Sequence, residues 1–165
     1  MKEISIARLR ELLTYDPQTG ELRWISARGN HIIPGRLAGY ISYGYRILEV
    51  DRTPLKAHRV AWALHYDKWP TCQLDHINRD RSDNRIANLR QATFSQNHVN
   101  SPSKIAGRPK GIYRYKKSQR WCAHIKRGGK IKHLGVFASA AEAGAAFERV
   151  AREVYGEFAY TEAKP

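Results

Sequence analysis

Apolar positions at the start of the chain recur with helical spacing. Ile4, Leu9, Leu12 and Leu13 share one face and predict a short helix over residues 5–14. Asp16-Pro17-Gln18-Thr19-Gly20 reads as the turn that ends it. Residues 21–25 then alternate as a strand, and residues 26–36, with two glycines and a proline, predict an exposed loop. Two runs broken at Gly44, residues 39–43 and 45–50, predict a β-hairpin, and residues 51–54 a further turn. Helical spacing returns over residues 55–66, with Val60, Leu64 and Trp62 inward, and Trp69-Pro70 follows it.

The stretch from Gln73 to Asn100 has a different texture. A short apolar approach ends in Asp75-His76, and residues 78–84 form a loop too polar for a core. After Asn88-Leu89-Arg90, Thr93 and Gln96 have the spacing of a capping box, which puts Asn97 in the first turns of a helix. Strand, loop, short strand and helix in this order would bring Asp75 and Asn97 together. His76 would point the other way, because side chains alternate along a strand.

Beyond Asn100 the pattern changes again. Residues 101–109 are small, polar and proline-bearing and read as a linker, able to span roughly 30 Å when extended. Three strands are predicted over residues 111–115, 121–126 and 131–137, with turns at 116–120 and 127–130. Ser139 and Glu142 make a second capping box. Ala143, Phe147, Val150, Ala151 and Val154 then form one apolar helical face, ending at Gly156. With Trp121, Ala123 and Ile125 turned to that helix, Cys122, His124 and Lys126 fall on the opposite, open face. Lys110, Tyr113, Tyr115, His124, Lys126 and His133 are its candidate contact residues.

Composition adds a partner. The chain has 165 residues and a net charge of +14, from 29 Lys and Arg against 15 Asp and Glu. The basic residues are spread through foldable sequence with Trp and Tyr between them. That distribution argues for a polyanion bound by a folded surface rather than by a disordered arm. No long apolar run or basic amphipathic helix points to a membrane. The two cysteines, Cys72 and Cys122, form no CxxC pair, which excludes a Cys₄ zinc site and makes no disulfide framework. Without an apolar leader near Met1, the expected location is the cytoplasm.

The residues of the central stretch suit metal-assisted attack on a phosphodiester. The Asp75 carboxylate and Asn97 carboxamide are hard oxygen ligands for Mg²⁺ or Mn²⁺, with water and phosphate completing the shell. His76, neutral near pH 7, can take a proton from the attacking water. Asn88 is the candidate to tie the loop to backbone and hold the imidazole. His98 lies beside Asn97 but about 100° around the helix, so only one of the two faces Asp75 squarely. Arg79, Arg81, Arg85 and Arg90 surround the motif and, with Arg59 near the start of the second helix, are candidates for the phosphate backbone.

Asp75-His76, Asn84, Asn88-Leu89-Arg90 and Asn97 together resemble the HNH nuclease motif (the ββα-metal finger) in the version whose third letter is Asn. The resemblance implies His76 as general base, Asp75 and Asn97 as metal ligands, and Asn88 as the middle, structural Asn. Asn78-Arg79-Asp80 departs from it, standing where many relatives have an Asp-Gly turn. A second resemblance covers residues 107–162. Lys110-Gly111-Ile112, the 121–126 strand, Leu134-Gly135-Val136-Phe137, the Ala-rich helix and Gly156-Glu157-Phe158-Ala159 are similar to an APETALA2-type DNA-binding domain. It departs where Tyr113, Tyr115 and His124 replace base-reading arginines, and where Lys132 replaces an apolar residue.

The expected fold is therefore α+β. A ββα-metal finger domain over residues 1–100, with an N-terminal helix and β-hairpin, is joined by a 101–109 linker to a three-stranded antiparallel sheet on one helix over 110–162. The expected activity is a Mg²⁺- or Mn²⁺-dependent endonuclease of the phage homing type. Its partner is double-stranded DNA, bound as a monomer or transient dimer. The alternative is a DNA-binding regulator that does not cleave. A zinc hydrolase is disfavoured because the seven histidines show no HExxH spacing.

Overall fold

The computed structural model describes residues 4–26, 33–101, 110–115 and 118–160. The central part of the loop predicted over 26–36, nearly all of the 101–109 linker, and residues 161–162 lie outside them. So do the first two residues of the 116–120 turn. The chain divides into two compact units, Met1–Thr93 and Phe94–Pro165.

In the first unit, α1 (Ile6–Leu12) is capped by the Ser5 hydroxyl, which accepts from the Arg8 amide at 3.2 Å. The helix is shorter than its apolar spacing predicts. Leu13–Tyr15 is instead strand β1, paired antiparallel with β2 (Leu22–Trp24). The tight turn between them decides this. Asp16 accepts from the Gln18 amide through its side chain and from the Gly20 amide through its carbonyl, both at 2.8 Å, which brings the flanking residues into pairing distance. Leu13 is buried in the strand.

The predicted hairpin is β3 (Tyr40–Ser42) and β4 (Tyr45–Val50), and a third strand, β5 (Thr53–Lys56), pairs with β4. Sequence alone places a turn and the start of a helix there. The turn contracts to Asp51-Arg52, both at positive φ, so Thr53 falls directly opposite Val50. Pro54 is accommodated because β5 is an edge strand. Helix α2 then runs Ala57–Tyr66 and stops at Asp67 in the left-handed region. Its buried Val60 joins Leu9, Leu12, Leu22, Trp24, Leu48 and Val50 in the main core. Ala61 and Trp62 pack with Leu74 and Leu89, which seats α2 against the next two strands.

Those strands are β6 (Gln73–His76) and β7 (Leu89–Ala92), with Asp75 opposite Arg90 and His76 opposite Leu89. Helix α3 (Phe94–Asn100) follows Thr93 immediately and opens the second unit.

In the second unit, β8 (Ile112–Arg114), β9 (Trp121–Arg127) and β10 (Lys130–Phe137) form an antiparallel sheet in the order β10-β9-β8. Gly128 and Gly129, both at positive φ, close the tight β9–β10 turn. Lys132 lies opposite Ile125 and is exposed; a bulge between His133 and Gly135 then resets the register, and Leu134 and Phe137 pack against the core. Helix α4 (Ala140–Tyr155) is capped as its sequence indicates, Ser139 Oγ accepting from the Glu142 amide at 3.2 Å. Ala143, Phe147 and Ala151 meet Ile112, Ala123 and Ile125. Gly111 is required where β8 begins, since a Cβ there would lie 2.1 Å from the Phe147 ring. Among the described residues, no helix is long and apolar enough to cross a membrane.

Candidate active site

The loop joining β6 to β7 is built from polar side chains bonded to backbone. Asn88, buried at the foot of β7, joins its two ends: Oδ1 accepts from the Asn78 amide and Nδ2 donates to the Asp83 carbonyl, both at 2.9 Å. Asn78 Nδ2 reaches the Asp83 carboxylate at 2.7 Å, and the Tyr15 hydroxyl donates to the Asn84 carbonyl at 2.8 Å. Arg79 adopts φ +66°, a conformation favouring glycine, so the loop keeps the shape of a glycine turn without the glycine.

His76 ends β6 and is 5% exposed. Its Nε2 faces Asn84 Oδ1 at 3.5 Å. An acceptor there favours the Nε2–H tautomer. The His58 ring stands edge-on to it with centroids 5.0 Å apart, and Tyr45 flanks both histidines at 5.5 and 6.1 Å. Burial lowers the His76 pKa below its ordinary value, partly opposed by the Asn84 contact and by Asp75. His76 is therefore neutral at pH 7. His58 is pushed down to about 3, first by burial and then by His76, Lys56 and Arg59. Its Nδ1 is buried with no hydrogen-bond partner among the described residues.

The His58 shift has a consequence for stability. The neutral form is favoured in the fold, and an unfolded histidine titrates near 6.5. Above that pH both states are neutral and the contribution is fully present. As pH falls below 6.5 the unfolded chain takes the proton first, so stability drops by up to ~1.4 kcal/mol per pH unit. Urea unfolding at pH 6.5 and 5.0 should show a loss of about 1.6 kcal/mol from this group. The loss should be smaller in His58→Gln, and equal losses would contradict the assignment.

Asp75 is 4% exposed, and its Oδ2 accepts from Arg90 Nε at 2.9 Å and Nη2 at 2.8 Å. Arg90, expected at the phosphate backbone, thus has its guanidinium on Asp75. Arg85 is held by the Asp83 carboxylate, with its Nη2 at 2.6 Å. Arg59 lies over the Trp69 ring with Nη2 3.5 Å from the Pro70 carbonyl, and Arg79 is half-buried. Arg81 is exposed and stacks on the Tyr45 ring at 4.9 Å, with Lys56 Nζ 4.5 Å from the same ring. Two cations therefore share the aromatic wall of the His76 site.

The donor chemistry fits a hard cation. Among the described residues, no group of three His, Cys, Asp or Glu gathers as a closed metal cage, and both cysteines are free. A single carboxylate supplemented by amide oxygen, water and phosphate is the usual arrangement for Mg²⁺ and not for structural zinc. Asn97, the other expected ligand, lies half-buried in α3, and His98 beside it is exposed.

On the second unit's sheet, Tyr113 meets His124 at a tilt and Tyr115 edge-on, with centroids 5.4 and 5.6 Å apart. Hydrogen bonding to Tyr115 and to Cys122 pushes the Tyr113 pKa up to about 12. Cys122, expected on the open face, is fully buried. Lys126 and His133 are exposed. Lys110 is elsewhere: its ammonium donates to the carbonyls of His98, Val99 and Ser101 at 2.7–2.8 Å, closing the C-terminal end of α3. Burial lowers its pKa to about 8.

Nothing in the sequence pattern placed Tyr45 or His58 beside His76. Both belong to elements distant in sequence from His76, and no local spacing announces that they meet. Residues 55–99 match the HNH endonuclease family, a stretch that includes His58, Asp75, His76, Asn84, Asn88 and Asn97. That match supports nuclease function with DNA as substrate. No curated protein matches the chain.

Proposed function

We propose that the chain is a metal-dependent endonuclease that hydrolyses phosphodiester bonds in double-stranded DNA, with His76 as general base. The observation that carries this reading is a buried, neutral imidazole whose ring is braced by His58 and Tyr45 and whose Nε2 faces Asn84. His76 takes the proton from water as the new O–P bond forms, and the bond to the leaving oxygen breaks. Asp75, oriented by Arg90, is the ligand for Mg²⁺ or Mn²⁺ from this unit. Asn97, inside the matched stretch, is assigned as second ligand on the sequence resemblance alone. When bound, such an ion polarises the phosphoryl group and stabilises the leaving oxygen. Asn88 keeps the loop closed around this arrangement, and Arg81 binds a neighbouring phosphate.

The second unit is proposed as an APETALA2-like DNA-binding module, reading through Tyr113, Tyr115, His124, Lys126 and His133. A sheet of this size fits the DNA major groove, and its aromatic face favours apolar contact with thymine methyls over bidentate contact with guanine. Tethering such a module to a small catalytic unit raises the local concentration of target, which suits a free-standing homing-type enzyme of phage. Tyr113→Ala/His124→Ala should flatten the distribution of cut sites on a long DNA while total nicking falls less than tenfold. Sequencing of the cut ends measures this, and an unchanged distribution would remove the second unit as the reader.

The function itself is tested by incubating supercoiled plasmid and phage DNA with the protein in Mg²⁺ or in EDTA. Conversion to nicked or linear DNA in Mg²⁺ alone is expected. Tight binding with no strand breaks in Mg²⁺ or Mn²⁺ would favour a non-cleaving regulator, in which the Asp75–Arg90 pair serves only the fold.

A further inference from the structure

We propose that the tip of the β3–β4 hairpin is a DNA contact, with Tyr43 pressing its ring against the bases in a groove of the duplex while Arg81 and Lys56 engage flanking phosphates. This rests on the nuclease reading for its choice of partner. Tyr43 is 94% exposed, the most open large hydrophobic side chain among those described. It occupies a two-residue turn between the paired Ser42 and Tyr45, at φ +48°, followed by Gly44 at +81°. Such turns strongly prefer Asn, Asp or Gly at the first position. A left-handed tyrosine is disfavoured there, and this ring buries almost nothing of itself in return. The fold alone gives no reason for an aromatic residue at this place.

Its surroundings give one. Tyr45, two residues along the same hairpin, carries the ring that touches His58 and His76. At about 3.3 Å per residue, the tip therefore lies within roughly 7 Å, along the strand, of the aromatic wall of the catalytic site. Lys56 and Arg81 are both exposed and both sit over the Tyr45 ring. The Arg81 side chain also runs alongside Gly44, 3.7 Å from where a Cβ would stand. An exposed ring at the tip, with two cations over Tyr45 two residues along the same hairpin, complements a polyanion with apolar faces inside it, which describes a nucleic acid duplex. A second copy of this chain is a poor match, because both would carry a charge of +14.

The test uses the full chain, a mixed-sequence linear duplex and fluorescence anisotropy in EDTA at several salt concentrations. Tyr43→Asn suits the turn better than the native residue, so its melting temperature should equal or exceed that of the wild type. Its affinity should fall roughly tenfold, as expected for loss of one aromatic–base contact. The slope of log K against log salt should not change, since no charge is removed. Tyr43→Phe should bind like the wild type, whereas Arg81→Ala should reduce the slope by about 0.9. Unchanged affinity in Tyr43→Asn would overturn the proposal. So would a concentration-dependent dimer that Tyr43→Asn abolishes without changing DNA binding, or a wild type that binds no duplex at low salt. A wild type that binds in EDTA but never cuts in Mg²⁺ would instead overturn the nuclease reading, with the Tyr43 result still standing on binding.

Discussion

Asp75→Ala should abolish the proposed metal-dependent cleavage and also destabilise the first unit by about 3–5 kcal/mol, the usual cost of removing one member of a buried ion pair. Arg90 is the reason for the second effect. Its side chain is 11% exposed and bonds Asp75 through both Nε and Nη2, so removing the carboxylate leaves a guanidinium with much of its hydration gone. The two effects separate in the double variant Asp75→Ala/Arg90→Met. An apolar side chain of similar length should return most of the stability, because a buried pair replaced by packed apolar groups is often neutral. Cleavage should not return, because the oxygen ligand is still missing. Urea midpoints and nicking rates for the two variants measure both halves. A double variant that regains stability and activity together would show that Asp75 serves the fold alone.

His76→Ala should slow cleavage by about 10²–10⁴-fold, the range for loss of a positioned general base. The ring is small, neutral and buried in the site wall, so little of the affinity for DNA passes through it. Affinity for a polyanion comes chiefly from Lys and Arg on the surface, and none is altered. Truncation also leaves a cavity beside His58 and Tyr45, which makes a folding control necessary. His76→Gln serves as that control, filling much of the same volume without supplying a base.

The features of the fold readable from sequence are those set by local chemistry. Asp75-His76, the polar loop, Asn88 and the helix after Thr93 follow one another as the strand–loop–strand–helix order predicts. Ser139 announces the start of α4 because a capping hydroxyl acts on an amide three residues away. What escaped was non-local or a matter of register. Strand β5 exists because Asp51 and Arg52 both take positive φ and fold Thr53 back onto Val50, against the usual message of Pro54. Arg90 reads as a phosphate contact until cross-strand pairing puts it opposite Asp75. Lys110 reads as part of a basic sheet face until three backbone carbonyls of the preceding helical segment claim its ammonium. Tyr45 and His58 carry no local sign that they will flank His76, and only the packing of β4 and α2 reveals it.

On the proposed mechanism, a neutral imidazole at position 76 deprotonates the attacking water. The most direct measurement is the single-turnover nicking rate of supercoiled DNA in Mg²⁺ for the wild type, His76→Ala and His76→Gln, with DNA affinity measured in EDTA on the same preparations. Rates lower by about 10²–10⁴-fold are expected in both variants at nearly equal affinity. Nicking by either variant at the wild-type rate would contradict that mechanism.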